Sequence, residues 1–134
     1  MSELPESTML RMRLRADDTH YAGGVIPAAT YMALMADAGA MLGLMRGESA
    51  GYLARWEAVD FTSVCYVGDY IEIHCRLLDV GNRSRRMEFE VNKLIRTDAS
   101  SPGQTTKGVV LDPPELVAKG VYIGVIPRAD LDSN

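Results

Sequence analysis

The chain has 134 residues, a length typical of one domain with its own hydrophobic core. Its net charge of −4 and the lack of a basic tract argue against a nucleic-acid partner. The polar N-terminus (MSELPESTML) does not resemble a signal peptide, and the longest apolar stretch is Ala- and Gly-rich and interrupted by Asp, which is a poor membrane span. Two cysteines form neither a disulfide framework nor a metal spacing, so we expect them to be reduced in a cytoplasmic protein without a membrane partner.

The first structured element is predicted at Leu10–Arg15, where apolar and basic residues alternate. This alternation is typical of a half-buried strand with its arginines on the solvated face. Residues 1–8 are expected to form a loose N-terminal tail, and residues 128–134 a polar C-terminal tail. One domain therefore spans residues 1–134.

A glycine-containing loop leads into the long apolar stretch. Gly23 and Gly24 allow the backbone to approach a ligand closely, and N–H groups at a helix entrance can hold an oxygen that carries negative charge. A helix is predicted from about Pro27 to about Met45, because Pro suits a first helical turn and Ala, Met and Leu are good helix formers. The helix is apolar nearly all the way round, so we expect it to be buried.

Asp37 is the one charged residue inside this helix. It lies seven residues after Thr30, on the same stripe of the helix. A carboxylate at this position either meets solvent through a gap or lines a cleft, because burial without a partner is costly. Both a functional and a structural role are open on this evidence.

Strands make up the rest of the chain. Their pattern predicts strands at Tyr52–Tyr66, Tyr70–Val80, Ser84–Arg96 and Leu116–Ile126. The short apolar piece Gly108–Leu111 is expected to be separated from the last strand, because the Pro residues between them cannot donate ladder hydrogen bonds. The polar segment 97–107 is predicted to be a flexible loop.

Two groups of charged residues stand out in these strands. Asp60 lies between Val59 and Phe61, where strand propensity disfavours Asp, so it is either a functional carboxylate or an outward residue at a bulge. A second group follows the predicted hairpin turn. This group comprises Asn82, Arg83, Ser84, Arg85 and Arg86. Its side chains either bind phosphates or form an ordinary solvated end of the hairpin.

The order of elements predicts an α+β fold. One long helix that must be buried needs a curved antiparallel sheet wrapped around it, which is the hotdog fold. One sheet and one helix leave an exposed edge and an incompletely covered cleft. We therefore expect a homodimer or a higher homo-oligomer.

An ordered set of motifs resembles one known family. It comprises His20-Tyr21-x-Gly23, Asp37, Val59-Asp60-Phe61, Tyr66-Val67-Gly68-Asp69-Tyr70 and Val80-Gly81-Asn82-Arg83-Ser84. Together these motifs resemble the hotdog-fold CoA-thioester ammonia lyases, such as the β-alanyl-CoA and 3-aminobutyryl-CoA enzymes, over roughly residues 20–126. The chain departs from the family at Asp60, where Glu is usual, and at Arg83, where Thr or Gln is frequent.

The resemblance implies reversible elimination of ammonia from a short β-aminoacyl-CoA to give the enoyl-CoA. The thioester acidifies the α-proton, a base removes it, and fixed donors stabilise the enolate oxygen. The implied base is Asp60 or Asp37, or both together as neighbouring carboxylates with different pKa values. The implied oxyanion donors are the backbone N–H groups of Gly23 and Gly24.

The resemblance also suggests how the substrate is held. His20 and Tyr21 would orient or bound the acyl end. The CoA phosphates would meet the hairpin group, which is Asn82, Arg83, Ser84, Arg85 and Arg86. An acyl-CoA thioester is thus the expected partner, and we expect no metal and no bound organic cofactor, since CoA is part of the substrate.

Three other functions compete with this one. A hotdog acyl-CoA thioesterase could use Asp37 alone to activate water or attack the thioester. A hydratase is less favoured, because no Asp-x-x-x-x-His-like pairing opens the helix. A non-catalytic acyl-CoA-binding or scaffold protein would keep Asp37 and Asp60 as ordinary structural carboxylates.

Overall fold

A computed structural model describes residues 3–97 and 107–131 of the chain. The strands are β1 (Ser7–Arg13), β2 (Tyr52–Phe61), β3 (Tyr70–Val80), β4 (Ser84–Thr97) and β5 (Gly108–Val125), and the helices are α1 (Ala28–Met45) and α2 (Arg128–Leu131). The strands form one antiparallel sheet in the order β1-β3-β4-β5-β2, so β1 and β2 are its edges. The expected sheet around one long helix is confirmed.

Helix α1 buries one stripe against the sheet. The stripe comprises Tyr31, Met35, Ala38, Gly39, Leu42 and Gly43. The stripe packs over β3, β1 and β4. The opposite side of the helix is open, and Leu44 on that side is 61% exposed. The expected burial of the whole helix is therefore wrong for a single chain. By length and composition α1 could also span a membrane, but core helices share these properties.

The inward side of β4 forms the centre of the core. Its residues Arg85, Met87, Phe89, Val91 and Lys93 are all buried, as strict alternation along a strand requires. Three apolar side chains are thus flanked by a cation at each end. Because a buried charge needs a partner, each end of β4 requires an acid close by.

Gly39 lets α1 approach the sheet closely. A Cβ atom at this position would lie 1.9 Å from the hydroxyl oxygen of Tyr122 and 3.1 Å from the ring of Phe89. The rings of Phe89 and Tyr122 meet edge to face with centroids 4.7 Å apart, and Trp56 packs beside both. A side chain on Gly39 would therefore displace an aromatic cluster.

Several predicted boundaries need correction. Strand β1 begins at Ser7, inside the predicted N-terminal tail, and residues 128–131 form the short helix α2 instead of a loose tail. Strand β2 ends at Phe61, earlier than expected. Strand β5 is continuous across the Pro pair, because residues 111–114 bulge out opposite Leu94 and pairing resumes on both sides. Most of the predicted 97–107 loop lies outside the described residues.

Candidate active site

A cleft of about 360 Å³ lies beside the predicted oxyanion glycines. We call it the glycine cleft, and it is lined by Gly23, Gly24, Tyr66, Val67, Asp69, Lys93, Arg96 and Thr97. Gly23 and Gly24 have φ angles of 77° and 74°, a conformation that favours Gly. They form a 3₁₀ turn four residues before α1, which agrees with the predicted glycine-containing loop that leads into the helix.

An extended segment, Val64–Val67, forms one wall of the glycine cleft. One edge of the segment pairs with the glycine region, since Val67 N donates to Gly24 O (2.9 Å) and Ile26 N donates to Cys65 O (2.9 Å). Cys65 N also donates to the Tyr31 hydroxyl on α1 (2.9 Å). The segment therefore fixes the glycine turn relative to both the sheet and the helix.

The other edge of this segment contacts two buried charges. Lys93 Nζ donates to Val64 O (2.7 Å), and Asp69 Oδ2 accepts from Tyr66 N (2.8 Å). Lys93 Nζ lies 3.9 Å from Asp69 Oδ2 and 3.1 Å from Glu115 Oε1. The side chains of Lys93 and Asp69 are only 7% and 1% exposed.

These contacts affect nearby acid–base groups. The hydrogen bond from Lys93 holds the pKa of Glu115 below its usual value. Burial raises the pKa of the Cys65 thiol to about 11, and burial likewise raises the pKa of Tyr31. Cys65 and Tyr31 are therefore neutral at physiological pH, so neither supplies a base in this region.

Asp37 lies on the exposed side of α1, opposite the stripe that packs on the sheet. Its neighbours along this side include Ala33 and Leu44, both exposed. Of the alternatives left open by the sequence, Asp37 meets solvent in the single chain. It follows the helix start by nine residues, a rise of about 14 Å, so it is far along the axis from the glycine turn.

Asp60 lies on the outer face of the sheet, away from α1. Its neighbour Phe61 points inward and packs against the Tyr31 ring, with centroids 6.3 Å apart. Asp60 instead pairs across the strands with Lys119, which in turn pairs with Glu90. The expectation that Asp37 and Asp60 act as neighbouring carboxylates is therefore wrong within one chain.

The hairpin arginines do not converge on one site. Arg85 points inward and forms a bidentate ion pair with Glu48 (3.1 and 3.0 Å), whereas Arg86 binds Glu57 (2.5 Å) on the outer face. Arg83 Nε donates to the Ile126 carbonyl (3.0 Å). The phosphate cradle predicted from the three arginines is thus not formed, although Asn82 and Ser84 do lie beside them at the hairpin.

His20 and Tyr21 lie close to the glycine turn. Both are exposed, and their rings meet edge to face with centroids 4.8 Å apart. Thr19 orders this loop, since its hydroxyl accepts from Tyr21 N (3.0 Å) and donates to Val25 O (2.5 Å). The predicted acyl-binding pair is therefore adjacent to the predicted oxyanion donors.

Sequence reasoning missed Asp69 and Lys93 as site residues. In the sequence, Asp69 stands out only as part of a family motif, and Lys93 only as a residue of a predicted strand. The available signal was Lys93 itself, an inward-facing cation in an alternating strand that requires a buried acid. In residues 3–97 and 107–131, no group of three or more His, Cys, Asp or Glu side chains is arranged to hold a metal ion.

Comparison with known proteins assigns the chain to a class. The family model of the thioesterase superfamily matches residues 23–98, which include Gly23 and Gly24, α1 and all of β4. The chain therefore belongs to the thioesterase superfamily, and its fold is the hotdog fold predicted from the sequence.

Individual relatives narrow this class. The chain is 32% identical to the 3-aminobutyryl-CoA ammonia lyase of Acetoanaerobium sticklandii over 123 residues, 90% of this chain and 94% of the relative. The β-alanyl-CoA:ammonia lyase of Clostridium propionicum has the same fold, with a TM-score of 0.86 and 23% identity over 96% of this chain and 90% of that one. An acyl-CoA hydrolase from Staphylococcus aureus, solved with butyryl-CoA and CoA, has a TM-score of 0.66 at 16% identity and covers 92% of this chain and 65% of its own.

Proposed function

We propose that this chain is a CoA-thioester ammonia lyase that reversibly eliminates ammonia from a short β-aminoacyl-CoA to give the enoyl-CoA. The observation that carries the proposal is the 32% identity to a 3-aminobutyryl-CoA ammonia lyase along nearly the whole of both chains. The glycine turn and a carboxylate on an otherwise apolar helix supply the groups that this chemistry needs.

Asp37 is the proposed base. Its carboxylate removes the α-proton of the thioester, and the electron pair of the C–H bond moves into the enolate. The enolate then expels the protonated β-amino group (–NH3⁺) as neutral ammonia, and the C–N electron pair leaves with the nitrogen. Asp37 can return its proton to this ammonia, so the base is regenerated in each turnover. The thioester itself activates the proton, which is why no cofactor beyond CoA is proposed.

The backbone N–H groups of Gly23 and Gly24 are the proposed donors to the enolate oxygen. Such donors are effective when they are held in place before the reaction begins. The glycine turn meets this condition because Val67 N donates to the Gly24 carbonyl and Ile26 N, just after the turn, donates to the Cys65 carbonyl. His20 and Tyr21 would bound the acyl group beside it.

A second copy of the chain is proposed to complete the site. In a single chain, Asp37 is exposed and lies far along α1 from the glycine turn. Several apolar residues on α1, on β2 and in the segment after β2 are also exposed in the single chain, namely Leu44, Met45, Leu53, Phe61, Val64 and Tyr66. Apolar surface of this kind is typical of an interface, and a homodimer would cover it.

The hairpin between β3 and β4 is the proposed contact region for the CoA moiety. Asn82, Ser84 and Arg83 at the hairpin are the retained candidates for phosphate contacts. Arg85 and Arg86 are already engaged by Glu48 and Glu57, so binding through them would require exchange of partners. Support for an acyl-CoA ligand comes from the relatives rather than from these arginines.

One assay with two readouts tests the proposal. Purified protein is mixed with crotonyl-CoA or acryloyl-CoA in ammonium buffer, enoyl absorbance is followed, and free thiol is titrated in parallel. We expect ammonia-dependent loss of the enoyl signal without thiol release. Thiol release without amine addition would contradict the lyase proposal.

The second candidate is an acyl-CoA thioesterase. It is favoured by the match to the thioesterase superfamily and by the fold shared with the Staphylococcus aureus hydrolase. In this case Asp37 would activate water or attack the thioester carbonyl, and the same glycine turn would hold the tetrahedral oxyanion. The thiol titration separates the two candidates directly.

A further inference from the structure

Lys93 is an unusual residue for its position in the fold. It follows Met87, Phe89 and Val91 on the inward side of β4, where a fourth apolar side chain would fill the core without a charge. Replacing a buried ion pair with well-packed apolar residues is often neutral or stabilising. Core stability therefore does not by itself explain a cation here.

The hydrogen bonds of the Val64–Val67 segment suggest another role. Its backbone groups alternate between two partners along the extended chain. The Val64 carbonyl and the Tyr66 N–H contact Lys93 and Asp69, whereas the Cys65 carbonyl and the Val67 N–H contact Ile26 and Gly24. The segment thus links the buried ion pair on one side to the glycine turn on the other.

Asp69 fixes the end of this segment to β4 as well. Its Oδ1 atom accepts from Thr97 N (3.0 Å), while its backbone carbonyl accepts from Leu14 N (2.8 Å). Glu115, next to the bulge of β5, holds Lys93 from the solvent side. Side chains from two strands and one loop therefore determine where the segment lies.

We propose that Lys93 and Asp69 are positioning residues that set the backbone geometry of Gly23 and Gly24 through the Val64–Val67 segment. They do not touch the reacting atoms in this proposal. It rests on the proposed function only in so far as the glycine turn serves the thioester oxygen. The positioning itself is a property of the fold and has its own readout.

The central test compares Lys93→Met with Lys93→Arg. Met keeps an unbranched side chain, one atom shorter than that of Lys, but leaves the Val64 carbonyl without its donor, whereas Arg keeps a cation. We expect Lys93→Met to lower kcat by about 100-fold with little change in KM, because small misplacements of a catalytic group can have effects of this size. Lys93→Arg should restore most of kcat.

Amide hydrogen exchange gives a readout that needs no activity. Lys93→Met should speed exchange at the Ile26 and Val67 amides, which hydrogen-bond across the segment, and leave the β3 amides unchanged. If wild type fails the lyase assay, the proposed function fails, but the exchange measurement still decides the positioning proposal.

Glu48→Gln is the matched control. It disrupts the ion pair of Arg85, the other buried cation at the opposite end of β4. We expect it to lower the melting temperature without a selective fall in kcat or faster exchange at Ile26. The proposal is overturned if Lys93→Met leaves exchange at Ile26 and Val67 unchanged, or if Glu48→Gln lowers kcat as much as Lys93→Met does.

Discussion

The two aspartates noted in the sequence occupy opposite sides of the sheet. Asp37 lies on the open side of α1, and Asp60 lies on the outer face beside Lys119. A bulge at Glu57 explains the orientation of Asp60. Trp56 points inward, and unbroken alternation would turn Asp60 inward too, but the extra residue reverses the faces.

Separate replacements of these aspartates should have unequal effects. Asp37→Asn should lower kcat by about 10²- to 10⁴-fold, the usual range for loss of a general base. Asp60→Asn should change kcat by less than about threefold, because an outer-face charge contributes little. Steady-state kinetics and melting temperatures of wild type and of the two variants check both predictions. Equal losses of kcat in the two variants would contradict the assignment of the base to Asp37.

Glu48 should make stability depend on pH. Partial burial would raise its pKa, but hydrogen bonds and charge from Arg85 and Arg46 outweigh burial and hold the pKa below the usual 4.5. Its stabilising contribution is therefore present above about pH 4.5 and is lost as pH falls through the lowered folded-state value.

Urea unfolding of wild type and Glu48→Gln measures this contribution. We expect wild type to be more stable by about 1–3 kcal/mol near pH 7, a range typical of hydrogen bonds to charged groups. The difference should shrink as pH is lowered below about 4.5. A difference that stays constant down to about pH 3 would mean that ionisation of Glu48 is not its source.

At the scale of single elements, α1 depends on the absence of a side chain at Gly39. Gly39→Ala should destabilise the fold by about 1–3 kcal/mol in chemical denaturation, because overpacking outweighs the gain in helix propensity. The double variant Gly39→Ala with Tyr122→Phe removes the nearest oxygen and should recover part of the loss. Stabilisation by Gly39→Ala alone would contradict the close contact.

Local patterns predicted some elements well and others poorly. The bounds of β3, Tyr70–Val80, agree with the structure because apolar and polar residues alternate in the sequence from Ile71 to Leu77. The long apolar helix ends at Met45 as expected. Strand β5 was divided in the prediction because the Pro pair cannot join a ladder, and the sequence gives no sign that residues 111–114 bulge out and let pairing resume.

The site was only partly predictable for a similar reason. Gly23 and Gly24 were found because the residue type itself indicates an unusual backbone, which the positive φ angles confirm. The contacts of Lys93 with Val64 and Asp69 join residues more than twenty positions apart in the chain. Such contacts depend on tertiary packing, which local periodicity does not specify.

At the scale of the whole molecule, the open side of α1 should govern assembly. Leu44→Glu places a charge within the exposed apolar region and should convert the proposed dimer into a folded monomer with much lower activity. Met9→Glu is the matched control, since Met9 is 40% exposed but lies on β1. Sedimentation velocity and circular dichroism measure both, and a wild-type chain that sediments as a monomer would contradict the shared site.

The two edges of the sheet differ in a way that limits the addition of further copies of the chain. Strand β2 is long and presents exposed apolar residues such as Tyr52 and Leu53, whereas β1 has only seven residues and carries Arg11 and Arg13. Charged, short edge strands resist further pairing. If two copies join through β2, both remaining edges are β1, so the assembly closes as a finite pair instead of polymerising into a filament.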